Sequence, residues 1–95
     1  MKGGLLFTTT RKFDRDFQSL PTDIQKAVAE CIMDFERDPL PSSRRPHSVT
    51  PRGQKPTVFT MDVTSNKAYK LSFHLEDGGA VLRRVGTHGQ IDRTP

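Results

Sequence analysis

The chain of 95 residues holds a single cysteine, Cys31. One thiol excludes an intramolecular disulfide and a cysteine-cluster metal site. Its place within an apolar helical pattern makes it a core thiol rather than a nucleophile. Long apolar runs are also missing, so no segment reads as crossing a bilayer. The opening MKGGLLFTTT lacks the apolar centre of a signal peptide, and the expected location is the cytoplasm. No internal repeat is visible. Acidic side chains are scarce in the second half. Residues 42–95 hold four Asp/Glu against nine Lys/Arg, a net of +5, whereas residues 1–41 hold seven against six, a net of −1. That asymmetry suggests an anionic partner, of which nucleic acid is the commonest; a solvated basic surface is the alternative.

What is present fits one small domain over residues 1–95, burying about 60–65% of the surface that its unfolded form exposes. Leu5 to Thr9 is short and apolar to β-branched, the composition of a strand. Thr9 or Thr10 can cap the helix that follows, in which Phe13, Phe17 and Leu20 share one face. Pro21 ends that helix and can open the next. Thr22 and Gln25 have the spacing of a capping box. Ile24, Ala27, Val28, Cys31, Ile32 and Phe35 then form one face of an amphipathic helix of about four turns, ended by Asp38-Pro39. Leu40 to Pro56, with Pro41, Pro46, Pro51 and Pro56, predicts a long, poorly ordered loop.

Val58 to Val63 alternates, with Phe59, Met61 and Val63 on one face. Thr64-Ser65-Asn66 reads as a turn. Ala68 to Glu76 alternates more clearly: Tyr69, Leu71, Phe73 and Leu75 face one way, Lys70, Ser72, His74 and Glu76 the other. Asp77-Gly78-Gly79 is a hairpin turn, and Ala80 to Val85 is the last strand, running into a polar tail. The order β-α-α-β-β-β predicts an α+β domain, with a helical hairpin packed on an antiparallel sheet. Phe13, Phe17, Phe35 and Tyr69 belong to its core.

The helices cover one face of the meander, so the other is expected to be free. It carries Thr60, Asp62, Lys70, Ser72 and His74, with Arg83 or Arg84 from the last strand and His88 just beyond it. Lysine, arginine and histidine together suit a phosphodiester. Fixed cations stabilise charge building on phosphate oxygens, and an imidazole moves protons near neutral pH. Asp62 is placed either as a base or as a cross-strand partner of Lys70. The plain alternatives are an exposed histidine after a strand, an ordinary strand lysine, and a solvated Arg44-Arg45 pair.

Several segments together resemble the RelE/ParE superfamily of bacterial type II toxins: Phe13…Phe17..Leu20-Pro21..Ile24-Gln25, Tyr69-Lys70-Leu71, and Val85-Gly86-Thr87-His88. The resemblance runs over nearly the whole chain and implies that superfamily's fold. It also implies a metal-independent endoribonuclease without a cofactor, acting on mRNA in the ribosomal A site and restrained by a cognate antitoxin, with no membrane partner. Position by position, Lys70 matches the basic residue that holds the scissile phosphate. His88 matches the residue that assists the leaving group, and Arg84 is a second phosphate clamp. His47, Arg52, Lys55, Lys67, His74 and Arg83 are the expected contacts to RNA. Two positions depart from the pattern. Asp92 stands where the family carries a stacking aromatic, and Thr60 and Asp62 stand where several nucleases carry lysines. These departures keep two rivals in view: a ParE-like inhibitor of DNA gyrase, and a binding module that keeps the fold without the reaction.

Overall fold

The computed structural model describes residues 6–38, 44–51, 53–76 and 78–95. The chain runs β1 (Leu6–Thr9), α1 (Arg11–Gln18), α2 (Thr22–Arg37), β2 (His47–Ser48), β3 (Val58–Asp62), β4 (Tyr69–Glu76), β5 (Gly79–Thr87) and α3 (His88–Arg93). The strands form one sheet in the order β1-β5-β4-β3-β2. The expected antiparallel meander is its centre. It is extended at one edge by β1, parallel to β5, and at the other by β2, antiparallel to β3.

Thr10 fastens α1 to the sheet. Its hydroxyl accepts from Phe13 N–H at 3.0 Å, capping the helix, and donates to Arg83 O at 2.7 Å. Pro21 is the N-cap of α2, and no side chain caps it. The capping box expected from Thr22 and Gln25 is therefore not formed. Gln25 Nε2 instead donates to Phe17 O at 2.9 Å and stitches the hairpin across its turn.

The apolar face of the sheet and the two long helices enclose one core of Phe13, Val28, Cys31, Phe35 and their strand neighbours. Phe35 is its hinge point, with ring centroids 5.3 Å from Phe7 and 4.6 Å from Phe73; Phe73 in turn stacks on Phe59 at 5.4 Å. Phe17 and Tyr69 are partly buried against this cluster. Leu75, expected to face the core, is exposed near the end of β4. Burial pushes the Cys31 thiol up to about 12, and its S–H donates to Asp62 O, so the group stays protonated.

β1 stops at Thr9, opposite Leu82, which leaves the outer edge of β5 without a strand beyond that point. Asp16 of α1 takes over there. Its carboxylate accepts from Val85 N–H at 3.2 Å and from Arg84 Nε and Nη2 at 3.0 and 3.2 Å. A side chain thus closes an edge that would otherwise offer open backbone.

The second face corrects the expectation that it is free. Thr60 and Ser72 are fully buried, and Lys70 and Asp62 are 6% and 8% exposed. On β4 the cause is α3, which replaces the expected polar tail, and on β3 it is the segment that brings Arg45 and His47 against Asp62 and Thr60. Thr87 and Gln90 form a capping box, with Thr87 N–H donating to Gln90 Oε1 at 2.9 Å. His88 N–H donates to Ala68 O at 2.9 Å. Ile91 is fully buried outside the main core. The helix folds back close to β5, where a Cβ on Gly86 would lie 2.6 Å from Gln90 Oε1. The 40–56 segment is corrected as well. Where described, it contains β2, and Arg44 holds it to α2 and to Val63 O.

Candidate functional site

Four neighbouring strands at one end of the sheet build a cleft of about 250 Å³ lined by Arg45, His47, Asp62, Lys67, Lys70 and His88. Lys70 is central on β4 and pairs in register with Asp62 on β3 and Gly86 on β5. His47 comes from β2, opposite Thr60, and its Nε2 lies 3.5 Å from Thr60 Oγ1. His88 is supplied by the first residue of α3. Between His47 and His88 lie three inter-strand steps, about 14 Å of backbone.

Arg45 and Lys67 enter the cleft from turns, and both hold positive φ, 54° and 64°. Left-handed backbone is unfavourable for long side chains and persists where the surroundings impose it. At Lys67 the turn supplies that constraint. Asn66 Oδ1 accepts from Thr64 Oγ1 and from Ala68 N–H, and Thr64 Oγ1 accepts from Tyr69 N–H. At Arg45 the flanking residues do so: Arg44 is tied to Asp34, and the ring of His47 sits 3.3 Å from Arg45 O. The Arg44 guanidinium beside Asp34 holds that carboxyl below the usual carboxylate range, with Arg37 adding to the effect.

Charges in the cleft are matched in pairs. Arg45 Nε lies 3.8 Å from Asp62 Oδ2. Lys70 Nζ donates to Asp92 Oδ1 at 3.4 Å, and the other oxygen of Asp92 lies 2.7 Å from His88 Nε2. Asp92 therefore joins the two residues expected to act on a phosphate. Among the described residues, no group of three or more His, Cys, Asp or Glu side chains could hold a metal ion, and no helix is long and apolar enough to cross a membrane.

Of the residues expected at the site, the cleft brings together His88, Lys70, His47 and Lys67. Arg84 is not among them. It is spent on Asp16 and on Thr94 O, and its guanidinium is held more firmly protonated by the Asp16 contact. The structure places it in an edge-closing ion pair outside the cleft. Arg83 and His74 form a separate pair, Nη1 to Nδ1 at 2.9 Å, with Glu76 beyond His74 Nε2. A register shift beside Ser72 and Phe73 takes Arg83 out of the cross-strand pairing. Lys55 does not line the cleft, and Arg52 lies outside the described residues. Sequence reasoning left Arg45 in a solvated Arg44-Arg45 pair, and it left Asp92 only as a misfit. A histidine and an aspartate four residues apart, starting one residue after the threonine of a Thr-x-x-Gln capping box, were the available signal.

No family model and no curated protein sequence matches this chain. Solved structures do. The RelE–RelB complex of Pyrococcus horikoshii gives a TM-score of 0.73 at 13% identity over 92% of this chain and 98% of that one. The DinJ–YafQ toxin–antitoxin complex of E. coli gives 0.71 at 14% identity over 93% and 97%. The RelBE2 toxin–antitoxin complex of Mycobacterium tuberculosis gives 0.65 at 24% identity over 88% and 98%. The chain has the α+β fold of the RelE-like toxins.

Proposed function

We propose that this RelE-like chain is the toxin of a type II toxin–antitoxin pair, and that it cleaves mRNA in the ribosomal A site without a metal. The observation that carries the reading is the convergence of two imidazoles and three cations on one cleft, with His88 and Lys70 tied to a single carboxylate. In the reaction, the 2′-hydroxyl of a ribonucleotide attacks its own 3′-phosphate. The O2′–P bond forms as the P–O5′ bond breaks, leaving a 2′,3′-cyclic phosphate and a 5′-hydroxyl. Lys70 lies against the non-bridging oxygens and stabilises the charge they gain. His88 gives a proton to the departing 5′-oxygen. Asp62, cross-strand from Lys70, is placed to take the 2′-hydroxyl proton. His47, three strand steps from His88, meets the neighbouring nucleotide rather than the phosphate that Lys70 and His88 flank. Arg45 and Lys67 bind backbone by charge, which makes affinity fall steeply with salt.

The same charge balance describes the antitoxin. A segment that neutralises this chain meets a half carrying +5, so an acidic stretch that orders on binding fits it. The decisive experiment is controlled expression. The parent is expected to stop protein synthesis, and His88→Ala and Lys70→Ala to relieve the arrest while circular dichroism stays that of the parent. If both variants arrest growth as the parent does, the site is misassigned. Asp92 in place of a stacking aromatic favours a second reading, inhibition of DNA gyrase. Filamentation and an SOS response with translation intact would select it, and expression without harm would select a binding module that lacks the reaction.

A further inference from the structure

The carboxylate at the edge of the cleft takes no part in the steps above. Asp92 stands one helical turn after His88, with Oδ2 2.7 Å from His88 Nε2 and Oδ1 3.4 Å from Lys70 Nζ. Such a group either competes with a phosphate or supports the imidazole. The surroundings favour support. The start of α3 is fixed by His88 N–H on Ala68 O and by the capping box, and Ile91, fully buried, anchors the turn between the two side chains. Ring and carboxylate are thus presented from a held turn of helix. An ammonium has three protons, and Asp92 accepts one of those on Lys70. The Nδ1 atom of His88 makes no hydrogen bond among the described residues. A phosphodiester can be met by the remaining Lys70 protons and by Nδ1 with Asp92 in place.

We infer that Asp92 is a positioning residue, which fixes the His88 ring through Nε2 so that Nδ1 delivers the proton to the leaving 5′-oxygen. This rests on the nuclease reading of the cleft. With Nε2 against the carboxylate at 2.7 Å, the proton to be transferred is the one that the charged ring carries on Nδ1. As P–O5′ breaks, its electron pair stays on O5′ and the Nδ1 proton joins it. The ring is left neutral with Nε2–H still facing Asp92, which exchanges no proton with the substrate. Where an aromatic would hold a base by stacking, this residue governs a proton.

The test uses the full chain on ribosomes programmed with an mRNA, together with the NMR signals of the His88 ring nitrogens in the free protein, which report the nitrogen that carries the proton. Asp92→Asn is expected to lower kcat on the order of 10- to 100-fold with KM nearly unchanged. It should also move the ring-nitrogen signals of His88, because Nε2 loses its anionic neighbour. Asp92→Glu should restore most of the rate. An Asp92→Asn variant that cleaves as fast or faster, or that differs only in KM, overturns the inference and makes Asp92 a competitor of phosphate. Unchanged His88 ring-nitrogen signals overturn it as well. Failure of the nuclease reading is distinguishable, because His88→Ala would then cleave like the parent while the ring signals of the parent still report the Asp92 contact.

Discussion

The two faces of the sheet are built by different means. One is closed by shape: Phe35 touches Phe7 and Phe73, Cys31 and Val28 fill the space beside them, and no charge enters. The other is closed by pairing. Lys70 and Asp62 are buried too, yet each faces an opposite charge, Asp92 for the first and Arg45 for the second. Apolar packing is non-directional and tolerates only changes that keep volume. Ion pairs are directional, and their members keep chemical reactivity. The division therefore places stability mainly on the helix side and chemistry mainly on the α3 side, with Asp16 and Asp34 binding the two together.

The largest expected effect breaks the apolar side. Phe35→Ala removes the ring at the junction of two aromatic contacts and should cost about 3–5 kcal/mol. In a domain of this size that lowers Tm by at least about 12 °C. Calorimetry checks it, and a drop of only a few degrees would mean that the core closes around the gap. A smaller loss is expected at the edge of the sheet. Asp16→Ala strips Val85 N–H and the Arg84 guanidinium of their acceptor and should cost about 1–3 kcal/mol by urea unfolding. Cleavage should change little in the surviving folded protein, because Arg84 is not in the cleft. A large loss of activity at unchanged stability would return Arg84 to the phosphate site.

The smallest effect sharpens the comparison through pH. Asp34 is held below the usual carboxylate range first by the Arg44 hydrogen bond, against the opposing effect of burial. A lowered folded value adds stability above the unfolded value of about 3.9, lost as pH falls through the folded one. Asp34→Asn should therefore unfold at lower urea than the parent at pH 7, and the gap should close in the acid range below about pH 4. An equal gap at pH 7 and pH 3 would mean that the Arg44 pair is not its source.

Legibility in the sequence divides along the same line. The long helices and the meander announce themselves because apolar packing leaves a period, and α2 and β4 show it over many residues. β2 has two residues and α3 has six with one buried, so neither leaves a period to find. The parallel pairing of β1 with β5 joins residues more than seventy positions apart, which no local pattern encodes. Lys70 and His88 were legible as residue types in a family pattern. That Arg84 would turn to Asp16 and that Asp92 would turn to His88 depends on where α1 and α3 sit, and so on tertiary structure alone.

Gly86 shows how finely the rim of the cleft is gauged. It pairs with Lys70 across the sheet, and its missing side chain is the clearance into which Gln90 fits. A single methyl there would push the Gln90 amide off Thr87 N–H and open the cap of the short helix that carries His88 and Asp92. The clearance for that cap is set at a position that brings no functional group of its own, and an alanine there should loosen the start of α3 while leaving the long helices and the core standing.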